Sequence, residues 1–368
     1  MSQQQATRST SESVGAPATS TPGAGMAADI AEQPEVLARL AADRAGAIAE
    51  VAAEIAHHRP RFVLYAARGT SDHAALYAAY LTEIRLGIPV GLASPSAVTV
   101  YRARPDLSDA VVIGVSQSGG SPDIAEVLGT AAASGAHTVA VTNNPGSRLA
   151  AQAARHIDIA AGHERAVAAT KTYTAELLAL FMLIEGIRTG TGRLCGAEAD
   201  GIAALPELAR TVLDDDTVTA LAARYRFARR MVTTGRGYGY PTAREGALKL
   251  METSYLSALS FSGADFLHGP LAMADPDVPV LAVAGDGPGG VAMREVVDRL
   301  RQRQADIVTI GPSDVPGAAG RIPVPSVDER FAPMLDILPM QRLALTLALA
   351  RGEDPDTPRG LRKVTETL

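Results

Sequence analysis

Three apolar, strand-like segments recur in the same order at almost one spacing, and this repeat constrains the fold of the 368-residue chain more than any other feature. RFVLYAARGTS (Arg61–Ser71) and RRMVTTGRGYG (Arg229–Gly239) align with Arg68-Gly69 on Arg236-Gly237, 168 residues apart. VVIGVS at 111–116 and VPVLAVA at 278–284 place Ser116 on Ala284, again 168. AHTVAVT from Ala136 and ADIVTIG from Ala305 lie 169 apart. A period held across three segments marks a duplicated unit. Between the strands run longer stretches with apolar residues every three or four positions, the alternation of a mostly parallel sheet with helices on both faces. The expected fold class is α/β, with two three-layer units at about 41–195 and 213–345. Residues 1–25 are Ser-, Thr-, Gln-, Ala-, Gly- and Pro-rich without periodicity and read as a disordered tail, with Met26 an alternative translation start. Helical periodicity follows from about Ala27 to His58. Leu205–Leu213 reads as part of a helical connector, a helix is expected near 339–351, and 346–368 as that helix's end and a Pro- and charge-rich tail.

Composition removes several classes of function. The longest apolar runs, Ala74–Leu81 and Leu177–Ile184, have eight residues, far short of the ~20 that cross a bilayer. A net charge of −6 argues against a dedicated nucleic-acid binder, whose affinity comes from Lys and Arg on phosphates. The single cysteine, Cys195, allows no intrachain disulfide and no cysteine metal cage, and no two of the seven histidines have metal-ligand spacing. No metal or redox cofactor is expected. The first residues lack a basic-then-apolar secretory pattern, so a cytoplasmic location is expected.

The strongest local signal is Ser116-Gln117-Ser118-Gly119-Gly120-Ser121-Pro122-Asp123. An apolar strand ends in hydroxyls and glycines, and a helix starts with Ser121 as N-cap and Pro122 at its first position. Such a turn offers unpaired N–H groups and partial positive charge to a phosphate, although an ordinary capped turn has the same residues. It is no P-loop, since Gly-Lys-Ser/Thr is absent. Arg68-Gly69-Thr70-Ser71 repeats the idea at the neighbouring strand end, where open α/β sheets place their sites. Gly235-Arg236-Gly237-Tyr238-Gly239 has its third glycine misplaced for a dinucleotide fingerprint. Beyond it, Glu245, Lys249 and Glu252 fall at i, i+4 and i+7 on one helical face, either as a surface stripe or as a functional row. His268 stands in a Gly/Pro loop, and Lys363 close to the C-terminus.

These motifs in this order resemble the SIS (sugar isomerase) domain family. The resemblance runs from about Ile30 to Lys363, through Glu32-Gln33-Pro34, Gly69-Thr70-Ser71, Ser116-Gln117-Ser118-Gly119, Ala169-Thr170-Lys171, Glu245-Gly246-Ala247-Leu248-Lys249-Leu250 with Glu252, His268-Gly269-Pro270-Leu271 and Pro358-Arg359-Gly360-Leu361-Arg362-Lys363. The order is similar to the isomerase half of glucosamine-6-phosphate synthase. Ala67-Arg68-Gly69-Thr70-Ser71-Asp72-His73 with Ser121-Pro122-Asp123 looks closer to SIS-type glucosamine-6-phosphate deaminases.

The resemblance implies a base at Glu252, on the helix carrying Glu245 and Lys249. It implies a ring-opening histidine at His268, commonly supplied by a neighbouring subunit and hence a homodimer, and an imine-forming lysine at Lys363. It implies a phosphate cradle of Gly69, Thr70, Ser71, Ser116, Gln117, Ser118 and Ser121, and a substrate-contacting loop with Glu164 and Val167. A buried base carboxylate with a raised pKa is the expectation at Glu252. At Lys363, burial or the cationic neighbours Arg359 and Arg362 are expected to lower the pKa. The implied ligand is a hexosamine or N-acetylhexosamine 6-phosphate, with neither nucleic acid nor membrane as partner. With a cysteine neither at position 2 nor near it, glutamine-dependent synthesis is not expected of this chain by itself. Ser257-Ala258-Leu259 stands where relatives commonly show His-Ala-Glu. Three readings stay open: an isomerase/deaminase yielding fructose 6-phosphate and ammonia, a dehydratase (lyase) that expels the C3 hydroxyl of the N-acetylated sugar, and a non-catalytic sensor.

Overall fold

A computed structural model describes residues 21–361 and residue 363. The first sheet contains β1 (Phe62–Ala66), β2 (Val90–Leu92), β3 (Ala110–Ser116), β4 (His137–Thr142) and β5 (Arg155–Asp158), in the order β2-β1-β3-β4-β5. The second contains β6 (Arg230–Gly235), β7 (Ser257–Ser262), β8 (Val280–Val283), β9 (Ile307–Gly311) and β10 (Gly320–Pro323), in the order β7-β6-β8-β9-β10. Every pairing is parallel. The sequence repeat maps β1 on β6, β3 on β8 and β4 on β9, so both copies share one strand order. In each copy that order reverses direction beside the first strand, the switch point where open α/β sheets receive ligands. Strand β3 is buried along its whole length, as a central parallel strand covered on both faces must be.

The helix Lys171–Thr189 is buried on all sides from Lys171 to Gly186 and lies in a core continuous with both sheets. A helix apolar all round belongs inside a large core, and Leu177–Ile184 supplies the apolar part here. No helix among the described residues is long and apolar enough to cross a membrane.

Three boundaries differ from the sequence reading. Residues 1–20 of the expected tail lie outside the described residues, but its last residues are structured: helix Ala24–Ala31 begins there. Asp354 accepts from the Gly23 N–H at 2.9 Å, and Asp356 from Gly25 and Met26 at 2.7 and 2.8 Å. Carboxylates of the charged C-terminal segment thus satisfy the unpaired donors of this helix start. The connector helix spans Ala197–Asp214, with Pro206 inside it. The helix expected near 339–351 spans Ala332–Ala350. Pro339 sits in its interior, and packing of this buried helix overrides the local propensity.

Candidate active site

The cradle forms at the switch point of the first copy. After Ser116 the chain turns through Gly119, whose φ of +61° belongs to the left-handed region. A Cβ there would stand 2.2 Å from Ser147 Oγ, so the turn requires glycine twice over. Ser116 Oγ accepts from Gly119 N–H at 3.1 Å, and Ser118 Oγ from Gly120 N–H at 3.2 Å. The helix Pro122–Ala133 starts after Ser121, whose backbone is extended but whose hydroxyl makes no capping bond. Asp123 in the first turn takes a hydrogen bond from Arg68 Nε at 2.9 Å, joining the β1 and β3 loops.

Beside this turn opens a cavity of about 390 Å³ lined by Gln117, Ser118, Asn143, Asn144, Gly162, His163, Glu164 and Lys363. Of the expected cradle, Gln117 and Ser118 reach it. Gly69 (φ +55°) turns the chain into the helix Gly69–Leu81. Thr70 and Ser71 face elsewhere: Thr70 donates to Glu245 Oε1 at 3.0 Å and Ser71 to Glu176 Oε1 at 2.8 Å.

The row predicted on one helical face is not a surface stripe. On the helix Gly239–Ser254, Glu245 and Lys249 are fully buried. Glu245 receives Thr70 on Oε1 and His73 Nδ1 on Oε2 at 2.7 Å, both from the first copy, with Lys249 Nζ at 3.2 Å. Lys249 Nζ donates to Glu252 Oε2 at 2.6 Å and to Thr70 Oγ1 at 3.1 Å. Burial alone would raise the Glu245 carboxyl, but the Lys249 charge and the His73 and Thr70 hydrogen bonds outweigh it and hold it below its ordinary value. Burial would likewise depress Lys249, yet the charges of Glu245 and Glu252 raise it, so it stays an ammonium. Glu252 departs from the buried carboxylate expected: its side chain is 23% exposed, with one oxygen on Lys249.

Lys363 is half-buried and donates to the carbonyl of Ala166. Burial lowers its pKa, Lys249 and Lys171 push the same way, and Glu164 and Asp29 oppose them. Arg359, one of the cationic neighbours expected from sequence, is not among the causes. Arg359 lies over the Tyr255 ring and pairs with Glu353 at 2.7 Å, and Arg362 lies outside the described residues. Glu164 lines the cavity, but its carboxylate is already engaged. It accepts from the N–H groups of Thr170, Lys171 and Thr172 at 2.9, 3.1 and 3.1 Å and from both threonine hydroxyls, closing the start of helix Lys171–Thr189. Lys171 is buried against Asp29 and Glu32 at 2.9 and 2.6 Å, and Asp29 also accepts from the Arg165 and Ala166 N–H groups. The Glu32-Gln33-Pro34 and Ala169-Thr170-Lys171 motifs thereby pin the loop that carries half-buried Val167 and receives Lys363.

Two expected features stand apart. His268 is exposed, and its ring makes no hydrogen bond among the described residues. Ser257 and Leu259 are exposed on β7, the edge strand of the second sheet. The second copy's counterpart of the cradle is filled by its own chain. At the start of helix Pro288–Gln302, Glu329 Oε1 accepts from Gly289 and Gly290 N–H at 2.8 and 3.3 Å, where an anionic ligand would otherwise sit. Sequence reasoning left His73, Asn143, Asn144, His163 and Glu176 without a role. The i,i+3 spacing of Thr70 and His73 on one helix face was the available signal for the first of these.

Known proteins agree with this architecture. The sequence matches the SIS domain family over residues 58–186 and 225–315. Glutamine–fructose-6-phosphate aminotransferase (isomerizing) of Gloeobacter violaceus is 38% identical over 305 residues, 80% of this chain and 50% of that protein. The chain thus spans about half the length of the curated relatives it matches. A Silicibacter pomeroyi structure provisionally called a phosphosugar isomerase superposes with a TM-score of 0.82 at 35% identity, over 90% of this chain and 99% of that one. Glucosamine-6-phosphate deaminase of Thermotoga maritima shares the fold at a TM-score of 0.73 and 21% identity, over 94% and 100%. Two copies of one strand order, matched by the family across both sheets, make this chain a member of the SIS domain family.

Proposed function

We propose that the chain is an aminosugar-6-phosphate isomerase/deaminase that converts glucosamine 6-phosphate and water to fructose 6-phosphate and ammonia. The observation that carries the reading is that Lys363, from the far end of the chain, shares one cavity with Gln117 and Ser118 of the cradle turn. In this reading the sugar phosphate group lies against the Gln117–Ser121 turn, where the following helix N-terminus and the serine hydroxyls favour an anion. Glu252 takes the proton from C2 of the open-chain aldehyde. Its Oε2 is held by Lys249, and among the described residues its Oε1 receives no hydrogen bond and is available as the base. Return of a proton to C1 yields an imine at C2. Lys363, with its pKa lowered, attacks that carbon, ammonia leaves, and water frees the ketose and the lysine. His268 assists ring opening in the site of a second subunit of a homodimer, which accounts for its exposure in one chain.

The Glu245–Lys249–Glu252 row, its first two members fully buried, favours catalysis over sensing, since holding a phosphate requires none of it. The test is incubation with glucosamine 6-phosphate and, separately, N-acetylglucosamine 6-phosphate, with assays for ammonia and fructose 6-phosphate and mass spectrometry of the products. Ammonia with the ketose supports the reading. Loss of one water from the N-acetylated sugar without ammonia replaces it with the dehydratase reading, and binding without any product replaces it with the sensor.

A further inference from the structure

We propose that Glu54, His58 and His137 form a site for a divalent transition-metal ion such as Zn²⁺, at the end of the first sheet opposite the candidate active site. Sequence spacing does not pair the two histidines, but the fold does. His58 is the last residue of helix Ala45–His58, one turn beyond Glu54 and on the same face. His137 is the first residue of β4, whereas the cradle turn follows the last residue of β3. One ligand atom from each of Glu54, His58 and His137 lies within 4.8 Å of the other two.

Each group is poised to ligate. His137 is only 11% exposed, and its Nε2 is buried without a hydrogen-bond partner among the described residues, 3.7 Å from Glu54 Oε1. Burial, aided by His58 and Arg155 and opposed by Glu54, favours the neutral imidazole that binds metals. The His58 and His137 rings lie with centroids 4.7 Å apart, and His58 is exposed. Arg155 holds Glu54 by Oε2 alone, through Nε and Nη2 at 2.6 Å each, which fixes the carboxylate and leaves Oε1 facing His137. Zn²⁺ takes imidazole nitrogen and carboxylate oxygen at ~2.0–2.2 Å, so tetrahedral ligands stand about 3.3 Å apart. The three groups reach that spacing by side-chain rotation at the helix end, with water at the fourth position. Two imidazoles and one carboxylate suit Zn²⁺, Co²⁺, Ni²⁺ or Cu²⁺ rather than Mg²⁺ or Ca²⁺. Such an ion would clip the end of the helix to the start of β4.

The test is calorimetric titration of ZnCl₂ into tag-free, chelator-treated protein, with Co²⁺ absorption as a second readout. A Cys195→Ser background removes the one exposed thiol. The expected result is one ion per chain, a visible tetrahedral Co²⁺ band and a raised Tm. All three are lost in His58→Ala and in His137→Gln and kept in His57→Ala. His58 is exposed, so its variant is expected to fold as the parent does. No saturable binding, or the same binding in His58→Ala and His137→Gln, overturns the proposal.

Discussion

Thr70 of the first copy hydrogen-bonds both Glu245 and Lys249 of the second, at 3.0 and 3.1 Å. A Gly-Thr-Ser motif that reads as half of a phosphate cradle therefore also locks the helix bearing the proposed base. Removing Glu245 strips Lys249, Thr70 and His73 of a shared partner while the lysine stays buried. Glu245→Ala is expected to lose about 3 kcal/mol of stability, the low end for a broken buried pair, because the fully buried Lys249 then keeps only Glu252, which is itself partly exposed. Urea unfolding measures this. A loss below 1 kcal/mol, on the scale of exposed pairs, would contradict the buried arrangement.

Glu176 gives stability a pH slope. Burial pushes its carboxyl from 4.5 up to about 8, so the folded chain holds a proton that the unfolded chain has released. Its contribution is complete below pH 4.5 and declines as pH rises toward 8, by at most about 1.4 kcal/mol per pH unit. Glu176→Gln mimics the protonated form and is expected to flatten that decline, its Tm gaining on the parent as pH rises from 5 to 8. Asp336, pushed up to about 8, leaves a residual slope of its own. Parallel Tm profiles for parent and variant would refute a protonated Glu176.

At the cradle, Gly119→Ala meets both a left-handed backbone and Ser147. The backbone alone costs about 1–2 kcal/mol. Displacement of Ser147, which caps the helix Arg148–Gln152, adds to it. Gly69, with φ +55° and nothing within 4 Å of where an alanine methyl would stand, meets the backbone cost alone. Gly119→Ala is expected to weaken sugar-phosphate binding and lower Tm more than Gly69→Ala, read by calorimetry and thermal melting. The reverse order would contradict the geometry of the turn.

The carboxylate of Glu329 substitutes for an anion in the second copy. Glu329→Ala is expected to lower Tm, and sulfate is expected to restore more of it than it adds to the parent, by occupying the freed Gly289 and Gly290 N–H groups. Equal sulfate effects on both proteins would show that this helix start holds no anion.

The repeat, the sheet class and the one-faced row of Glu245, Lys249 and Glu252 were legible because strands and helices write their periods locally. The burial of Glu245 and Lys249 was not, because the groups that cover them, Thr70 and His73, lie over 170 residues away. Glu164 enters as a substrate contact only through the family resemblance, and nothing in the loop's composition shows that its carboxylate closes a helix start six residues later. The Pro- and charge-rich composition of the tail does not show what Asp354 and Asp356 do, because their partners stand at the other end of the described chain.

The central claim is proton transfer by Glu252, and solvent isotope exchange tests it most directly. With glucosamine 6-phosphate in D₂O, the account predicts deuterium at C1 of the fructose 6-phosphate formed or at C2 of recovered substrate, followed by NMR. Glu252→Gln is predicted to bind the sugar phosphate while exchange falls by about 10²–10⁴-fold. Exchange at the parent rate in Glu252→Gln, or bound substrate with no exchange in the parent, would contradict it.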